Sequence, residues 1–167
     1  MSSGLSILYD TIRWEEKALF DAAMKKGVNA KMVDCKGLLV NLDKSKEEFG
    51  TVIQRCVSYY RSLHSTAALE GKGINVINSL NTSIYAGNKL FTHMLLLKHD
   101  IPTPFSAVAF SEKAALQLLD QRGYPMVLKP TVGSWGRMIA LLKDRDSAEG
   151  IMRTRETMYP IYQVYYL

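Results

Sequence analysis

A lysine, a glycine-rich loop and an arginine follow one another in the stretch VLKPTVGSWGRMIALL. Lys129 stands in an apolar, strand-like run, and the loop after it contains Gly133 and Gly136. Glycine adopts positive φ angles readily, and successive backbone N–H groups exposed in this way bind anions. Ser134 adds a hydroxyl group and Arg137 a fixed cation. These residue types in this order are typical of a loop that closes over the phosphates of a nucleotide.

A plain hairpin turn, with Trp135 packed on a neighbouring element, explains the same loop, and the residues alone support both interpretations equally. For Lys129 the ordinary alternative is a solvent-facing lysine on an edge strand. Pro130 and the glycine loop, which follow at once, weaken that alternative. The motifs GxxxxGK[ST] and GxGxxG are both absent, so neither a P-loop nor a dinucleotide-binding loop is predicted.

A second lysine, Lys89 in GNKLFTH, is predicted to lie in the first turn of a helix. The N-terminus of a helix carries a partial positive charge that disfavours a cation. A bound anion would offset this cost, so Lys89 and Lys129 could converge on one polyphosphate. The alternative is an exposed surface lysine.

The elements that must position these residues alternate between strands and helices. Strands are predicted at 5–10, 28–34, 51–56, 74–78, 105–110, 125–130, 138–143 and 161–167. Helices are predicted at 11–27, 87–100, 111–123 and 146–158, with Ser111 as an N-cap. Residues 58–73 are predicted to be a loop that leads into a helix, which Gly71 or Gly73 ends. Residues 1–85 therefore predict a βαβ domain with a parallel sheet. Beyond the break IPTP, two strands around the glycine loop predict an antiparallel hairpin in an α+β unit.

The composition is that of a soluble globular domain, with 47% hydrophobic and 22% charged residues among 167 and a net charge of +5. An anionic partner such as a nucleotide or an acidic protein suits this charge. The charge is mixed along the chain and no aromatic–basic recognition module is present, so nucleic acid is not the expected partner. No signal peptide or membrane-length apolar run is evident, and we expect a cytoplasmic protein that does not bind membranes.

Metal-ligand patterns are also lacking. Cys35 and Cys56 have neither zinc-site nor disulfide spacing and are predicted to be buried, reduced thiols. An acidic group around Asp144, Asp146 and Glu149 falls where a helix begins, where carboxylates are stabilising without a metal. No metal-binding residue is predicted from the sequence.

Three segments resemble the ATP-grasp ligases: RCVSYYRSLHSTAALEGKGINVINS, GNKLFTHMLLLKHDIPTPFS and YPMVLKPTVGSWGRMIALL. Within that family they are most similar to the LysX/ArgX branch of lysine and arginine biosynthesis, which is related to the RimK glutamate ligases. The resemblance covers nearly the whole chain in order. The GNK and VLKP-x-x-GSWGR blocks together are quite specific to that branch.

The resemblance implies an α/β fold with a Rossmann-like pre-ATP-grasp domain at residues 1–85. It implies a linker helix and part of an ATP-grasp subdomain at residues 86–167. Lys89 and Lys129 would be the two lysines that bind ATP. The loop that covers the phosphates would comprise Gly133, Ser134, Trp135, Gly136, Arg137, Met138 and Ile139.

The activity that the resemblance implies is the ATP-dependent joining of a carboxylate to an amine through an acyl phosphate. In this branch the carboxylate is the C-terminal glutamate of a small acidic amino-group carrier protein, LysW, and the amine is that of α-aminoadipate or glutamate. Family members place the adenine hinge, the residues that hold the transferring phosphate and the Mg²⁺ ligands beyond a strand resembling YPIYQVYYL, where this sequence ends.

We therefore expect a chain that lacks Mg²⁺ ligands and is inactive alone, and no catalytic residue is assigned. The alternative is a non-catalytic module that binds nucleotide or carrier. The apolar last strand would also offer an unpaired edge to a second copy in a homo-oligomer.

Overall fold

Two structural units, Met1–Ile84 and Tyr85–Leu167, make up the chain in a computed structural model of the protein. The residues that the structure describes are 4–43, 49–133, 135–158 and 164–167. Each unit has its own cluster of buried apolar side chains. The two units are therefore described separately.

A four-stranded parallel sheet with strand order β2-β1-β3-β4 forms the first unit, as the sequence predicts. Its strands are β1 (Leu5–Tyr9), β2 (Ala30–Asp34), β3 (Thr51–Gln54) and β4 (Val76–Ile77). Helices α1 (Trp14–Lys25) and α2 (Tyr59–Gly71) connect them. The central strand β1 is buried on both faces, since Ser6, Ile7 and Leu8 are all inaccessible. Such burial is usual for parallel sheets, whose crossover helices cover both faces.

A close backbone contact between Gly4 and Gly50 fixes the start of β1 against β3. The amide of Thr51 donates to the Gly4 carbonyl oxygen at 2.9 Å. Gly50 has a φ of +64°, and a Cβ atom there would lie 1.7 Å from the Gly4 carbonyl oxygen. Both the backbone conformation and the available space therefore require glycine at this position.

A buried carboxylate, Glu16, joins the loops that follow β1 and β3. Its side chain is fully buried and accepts hydrogen bonds from the guanidinium groups of Arg13 at 2.7 Å and Arg55 at 3.1 Å. The hydrogen bond from Arg13 is the largest cause of a pKa for Glu16 lowered to about 2, and further bonds from the Arg13 amide and Arg55 add to it. Glu16 is therefore ionised in the folded protein at neutral pH.

The described part of the second unit contains two antiparallel strand pairs and three helices, two of which pack against each other. The strands are β5 (Val108–Ala109), β6 (Met126–Leu128), β7 (Ala140–Leu142) and β8 (Tyr165–Tyr166). The helices are α4 (Lys89–Lys98), α5 (Glu112–Arg122) and α6 (Arg145–Met158), and α3 (Leu80–Gly87) spans the boundary between the units. Strands β6 and β7 form the predicted hairpin, β5 pairs with β8, and a bridge from Lys129 to Tyr166 links the two pairs.

The core of this unit lies between the strands and helices α5 and α6. Its largest fully buried side chains are Leu119, Leu128, Leu142, Met152 and Tyr165. Ser111 is the N-cap of α5, as predicted, and its hydroxyl oxygen accepts from the Ala114 amide at 3.1 Å. The hairpin that carries the glycine loop is therefore anchored on a packed core.

The structure differs from the sequence prediction in several local features. Helix α3 was not predicted, although Ser79 accepts a hydrogen bond from the Thr82 amide at 3.3 Å in the manner of an N-cap. The predicted strand at 105–110 is reduced to β5. Residues 161–163 of the predicted last strand lie outside the described residues. Cys35 and Cys56 are free but half-buried rather than buried, and no described helix is long and apolar enough to cross a membrane.

Replacing Glu16 by glutamine should make the free energy of unfolding less dependent on pH in the acid range. A carboxylate with a lowered pKa stabilises the fold above its unfolded pKa, and this contribution is lost as pH falls from about 5 towards 2. The shift to about 2 corresponds to about 3 kcal/mol. Urea unfolding between pH 7 and pH 2 should show that loss in the wild type, whereas E16Q should already be less stable at pH 7 and should lack the corresponding loss.

Glu149→Gln is the matched control, because Glu149 pairs with Arg145 at the protein surface, where an ion pair contributes at most about 1 kcal/mol. An acid profile of E16Q that runs parallel to that of the wild type would contradict this account.

Candidate functional site

Lys89 is the first residue of α4 and is attached to the loop after β6 through both its backbone and its side chain. Its amide donates to the Thr131 carbonyl oxygen at 2.8 Å, and its Nζ donates to the Gly133 carbonyl oxygen at 2.8 Å. The preceding residue, Asn88, caps the helix with its side chain and forms a bridge to Val132. The start of α4 and the base of the glycine loop are therefore held together.

Lys129 follows β6 directly and is half-buried. Its amide donates to the Tyr166 carbonyl oxygen at 2.9 Å. A 3.2 Å hydrogen bond joins the Tyr166 hydroxyl group to Nδ1 of His93, which lies one turn after Lys89 on α4. Sequence reasoning did not single out His93 or Tyr166 as site residues, since their contact depends on β8 lying beside the end of β6.

The two lysines influence each other electrostatically. Burial, followed by the positive charge of Lys129, lowers the pKa of Lys89. Within 4–43, 49–133, 135–158 and 164–167, no carboxylate forms an ion pair with either ammonium group. Two neighbouring cations without a counter-ion favour the binding of an anion beside them.

The loop adopts the backbone conformation that its glycines suggest. Gly133 and Gly136 have φ angles of 151° and 67°. Trp135 and Met138 also adopt positive φ angles, 61° and 59°, which the sequence did not predict because side chains disfavour this region. Adding a Cβ at Gly133 would bring it within 3.2 Å of the Pro130 ring. The turn therefore combines two glycines with two strained residues.

The turn leaves backbone donors available. The Ile139 amide donates to the Gly136 carbonyl oxygen at 3.4 Å. Among the described residues, the amides of Gly136, Arg137 and Met138 have no hydrogen-bond acceptor. These residues and the side chain of Arg137 are exposed, so the loop can offer N–H groups and a cation to an incoming anion.

Two further loop residues bear on the sequence interpretations. Trp135 is 77% exposed, so the alternative in which it packs on a neighbouring element is wrong. Ser134, predicted to contribute a hydroxyl group, lies outside the described residues. The structure thus places the Lys89 ammonium group on the Gly133 carbonyl oxygen, at the start of the exposed loop. The charge of Lys129 contributes to the lowered pKa of Lys89.

Of the acidic residues near the start of α6, Asp144 caps the helix and Glu149 pairs with Arg145. Asp144 accepts a hydrogen bond from the Ser147 amide at 2.8 Å, and this bond is the main cause of the lowered pKa of Asp144. In the described part of the chain, no group of three or more His, Cys, Asp or Glu side chains is arranged to hold a metal ion.

Comparison with protein families matches both halves of the chain. Residues 5–84 match the LysX preATP-grasp domain, and residues 86–166 match the RimK-like ATP-grasp domain. The chain belongs to the RimK-like ATP-grasp family. The predicted architecture, a Rossmann-like pre-ATP-grasp domain followed by part of an ATP-grasp domain, is confirmed.

Curated relatives of this ATP-grasp chain come from both kinds of LysW ligase. A glutamate–LysW ligase, ArgX, of Sulfurisphaera tokodaii is 35% identical over 152 residues, covering 91% of this chain and 54% of the relative. An α-aminoadipate–LysW ligase, LysX, of Sulfolobus acidocaldarius is 37% identical over 159 residues, covering 92% and 58%. The chain spans about half the length of the curated relatives that it matches.

A solved structure supports the same fold over nearly the whole chain. The RimK-domain ATP-grasp protein of Sphaerobacter thermophilus superposes with a TM-score of 0.83 and is 26% identical, covering 98% of this chain and 62% of that one. The similarity therefore includes both the parallel sheet and the hairpin unit.

Removing the charge of Lys129 should raise the pKa of Lys89. Burial of Lys89 persists in Lys129→Met, but the repulsion between the two ammonium groups is lost. Titration of the Lys89 side chain by NMR, through its ¹³Cε resonance, measures the change. Lys98→Met, at the other end of α4, is the control and should leave the pKa unaltered. An identical Lys89 titration in Lys129→Met and wild type would show that the two lysines do not interact.

Proposed function

We propose that the chain is the nucleotide-binding part of an ATP-dependent carboxylate–amine ligase that acts on an acidic, LysW-like carrier protein. The family membership and the names of the curated relatives support this proposal. The observation that carries it is structural: Lys89 and Lys129 lie near each other without a carboxylate counter-ion among the described residues. They lie beside a loop whose amides at Gly136, Arg137 and Met138 form no hydrogen bond to another described residue.

In this proposal Lys89 and Lys129 bind oxygens of the ATP phosphates, and the exposed loop closes over them. Gly136, Arg137 and Met138 offer backbone donors, Trp135 and Ile139 flank them, and Arg137 adds a guanidinium group. ATP supplies the phosphoryl group that activates the carboxylate. Phosphoryl transfer depends mainly on positioning and on stabilisation of negative charge, which cations and fixed N–H dipoles provide.

Lys89 has a second role in this arrangement. Its ammonium group is bonded to the Gly133 carbonyl oxygen, so it attaches helix α4 to the loop before nucleotide arrives. Phosphate would also relieve the repulsion between the two lysines, which supplies part of the binding free energy. Nucleotide binding and loop position should therefore be linked.

ATP enzymes commonly use Mg²⁺ to neutralise phosphate charge. The described residues of this chain form no cluster that fits the ion, so no step is assigned to it. We propose that the chain by itself binds nucleotide without completing phosphoryl transfer. A non-catalytic nucleotide- or carrier-binding role is the second candidate.

The proposed amine substrate is an acidic amino acid, glutamate or α-aminoadipate. ArgX and LysX relatives have similar identities to this chain, 35% and 37%, so overall similarity does not separate the two. The net charge of +5 suits an acidic carrier. The cytoplasmic location and the homo-oligomer stay predictions.

Lys129→Ala should weaken ATP binding at least about tenfold, because it removes a cation that contacts phosphate in a partly desolvated site. Isothermal titration of ATP with magnesium into the 167-residue chain measures the affinity. The folded state is checked by the thermal unfolding profile, since the Lys129 backbone bond to Tyr166 does not involve the side chain.

Lys98→Ala is the matched control, since Lys98 is exposed at the far end of α4. It should bind ATP as the wild type does. Equal ATP affinities of Lys129→Ala and wild type would refute the assignment of Lys129 to the phosphates.

A further inference from the structure

A groove of about 630 Å³ lies between the loop end of β7 and helix α6, within the second unit. Its apolar surface comes from Met138, Ile139, Ala140 and Ile151. Pockets of this size that bind small organic ligands are mostly apolar and contain few polar groups. We refer to this feature as the α6 groove.

Gly150 keeps the α6 groove open. It lies in the interior of α6, where glycine costs about 1 kcal/mol relative to alanine. A Cβ atom at Gly150 would meet nothing within 4 Å, so neither packing nor backbone conformation requires glycine there. Glycine therefore makes α6 less stable than alanine would at position 150, where a larger side chain would project into the groove.

Among the described residues that line the groove, Arg155 carries a charge, and it is half-buried. Burial lowers the pKa of Arg155. One of its guanidinium nitrogens donates to the Met138 carbonyl oxygen. Across the described ranges no carboxylate pairs with Arg155. A partly desolvated guanidinium group with unused donors is a site for a carboxylate.

We propose that the α6 groove is a binding site for an amphipathic monocarboxylate, whose apolar body packs on Met138, Ile139 and Ile151 and whose carboxylate binds Arg155. The geometry selects this chemical class because an apolar surface and one uncompensated guanidinium group occur together. Neither a neutral apolar compound nor a compact polar anion uses both features. The proposal is independent of whether the neighbouring loop binds ATP.

The α6 groove and the glycine-rich loop share residues, so a ligand in the groove can affect the loop. Met138 and Ile139 belong to both, and the bond from Arg155 holds the Met138 carbonyl. A carboxylate on Arg155 would compete for the guanidinium donors and so alter the anchoring of the loop. Binding in the groove and binding at the loop would then be linked reciprocally.

The test uses 4-phenylbutyrate as the probe and 4-phenylbutanamide as its uncharged counterpart, each titrated into the 167-residue chain without nucleotide. Binding is followed by ¹H–¹⁵N NMR shifts of groove residues. The acid should bind with a Kd near or below about 1 mM, within the range for a ligand of this size, and at least about tenfold more tightly than the amide.

Arg155→Gln should reduce the affinity for the acid about tenfold, to that for the amide, whereas Arg153→Gln, an exposed arginine on the same helix, should change neither. Gly150→Leu should abolish binding of both probes by filling the groove. Gly150→Ala should raise the thermal midpoint, which shows that the position tolerates a side chain.

The proposal is overturned by any of three results with folded protein. They are no binding at concentrations up to about ten times the expected Kd, an undiminished preference for the acid in Arg155→Gln, and unaltered binding in Gly150→Leu.

Discussion

The backbone of the second unit places two lysines, Lys89 and Lys129, close enough for the charge of one to act on the other. Lys89 and Lys129 are held near each other by backbone bonds, from Lys89 to Thr131 and from Lys129 to Tyr166, that do not depend on their side chains. The backbone structure therefore places the two cations near each other whatever their side chains contact. Such an arrangement is costly in an isolated chain and favourable when an anion is bound, as functional sites commonly are.

The surrounding elements serve this arrangement. The packed core beneath the hairpin fixes β6, the bridge to Tyr166 fixes its end, and the cap at Asn88 fixes the start of α4. The described residues of the loop after Pro130 are exposed from Gly133 to Ile139, and Trp135 and Met138 there adopt positive φ angles. A packed base beside an exposed loop is the arrangement expected where a ligand must enter before charges are enclosed.

Much of this could be predicted from the sequence, because the determining features are local. Alternating strands and helices predicted the parallel sheet, closely spaced strands predicted the hairpin, and Ser111 predicted the cap of α5. The roles of His93 and Arg155 could not be predicted, because each depends on contacts between elements distant in sequence. Positive φ angles at Trp135 and Met138 also depend on the folded loop, since side chains disfavour them in isolation.

The most direct test of the central claim, that Lys89, Lys129 and the loop form a phosphate site, is to map the binding of inorganic triphosphate to the 167-residue chain by NMR. The account predicts that the largest shifts occur at the amides of Gly136, Arg137 and Met138, together with an increase in the pKa of Lys89. Shifts confined to the first unit, for example around Arg55, with no change at Lys89, would contradict it.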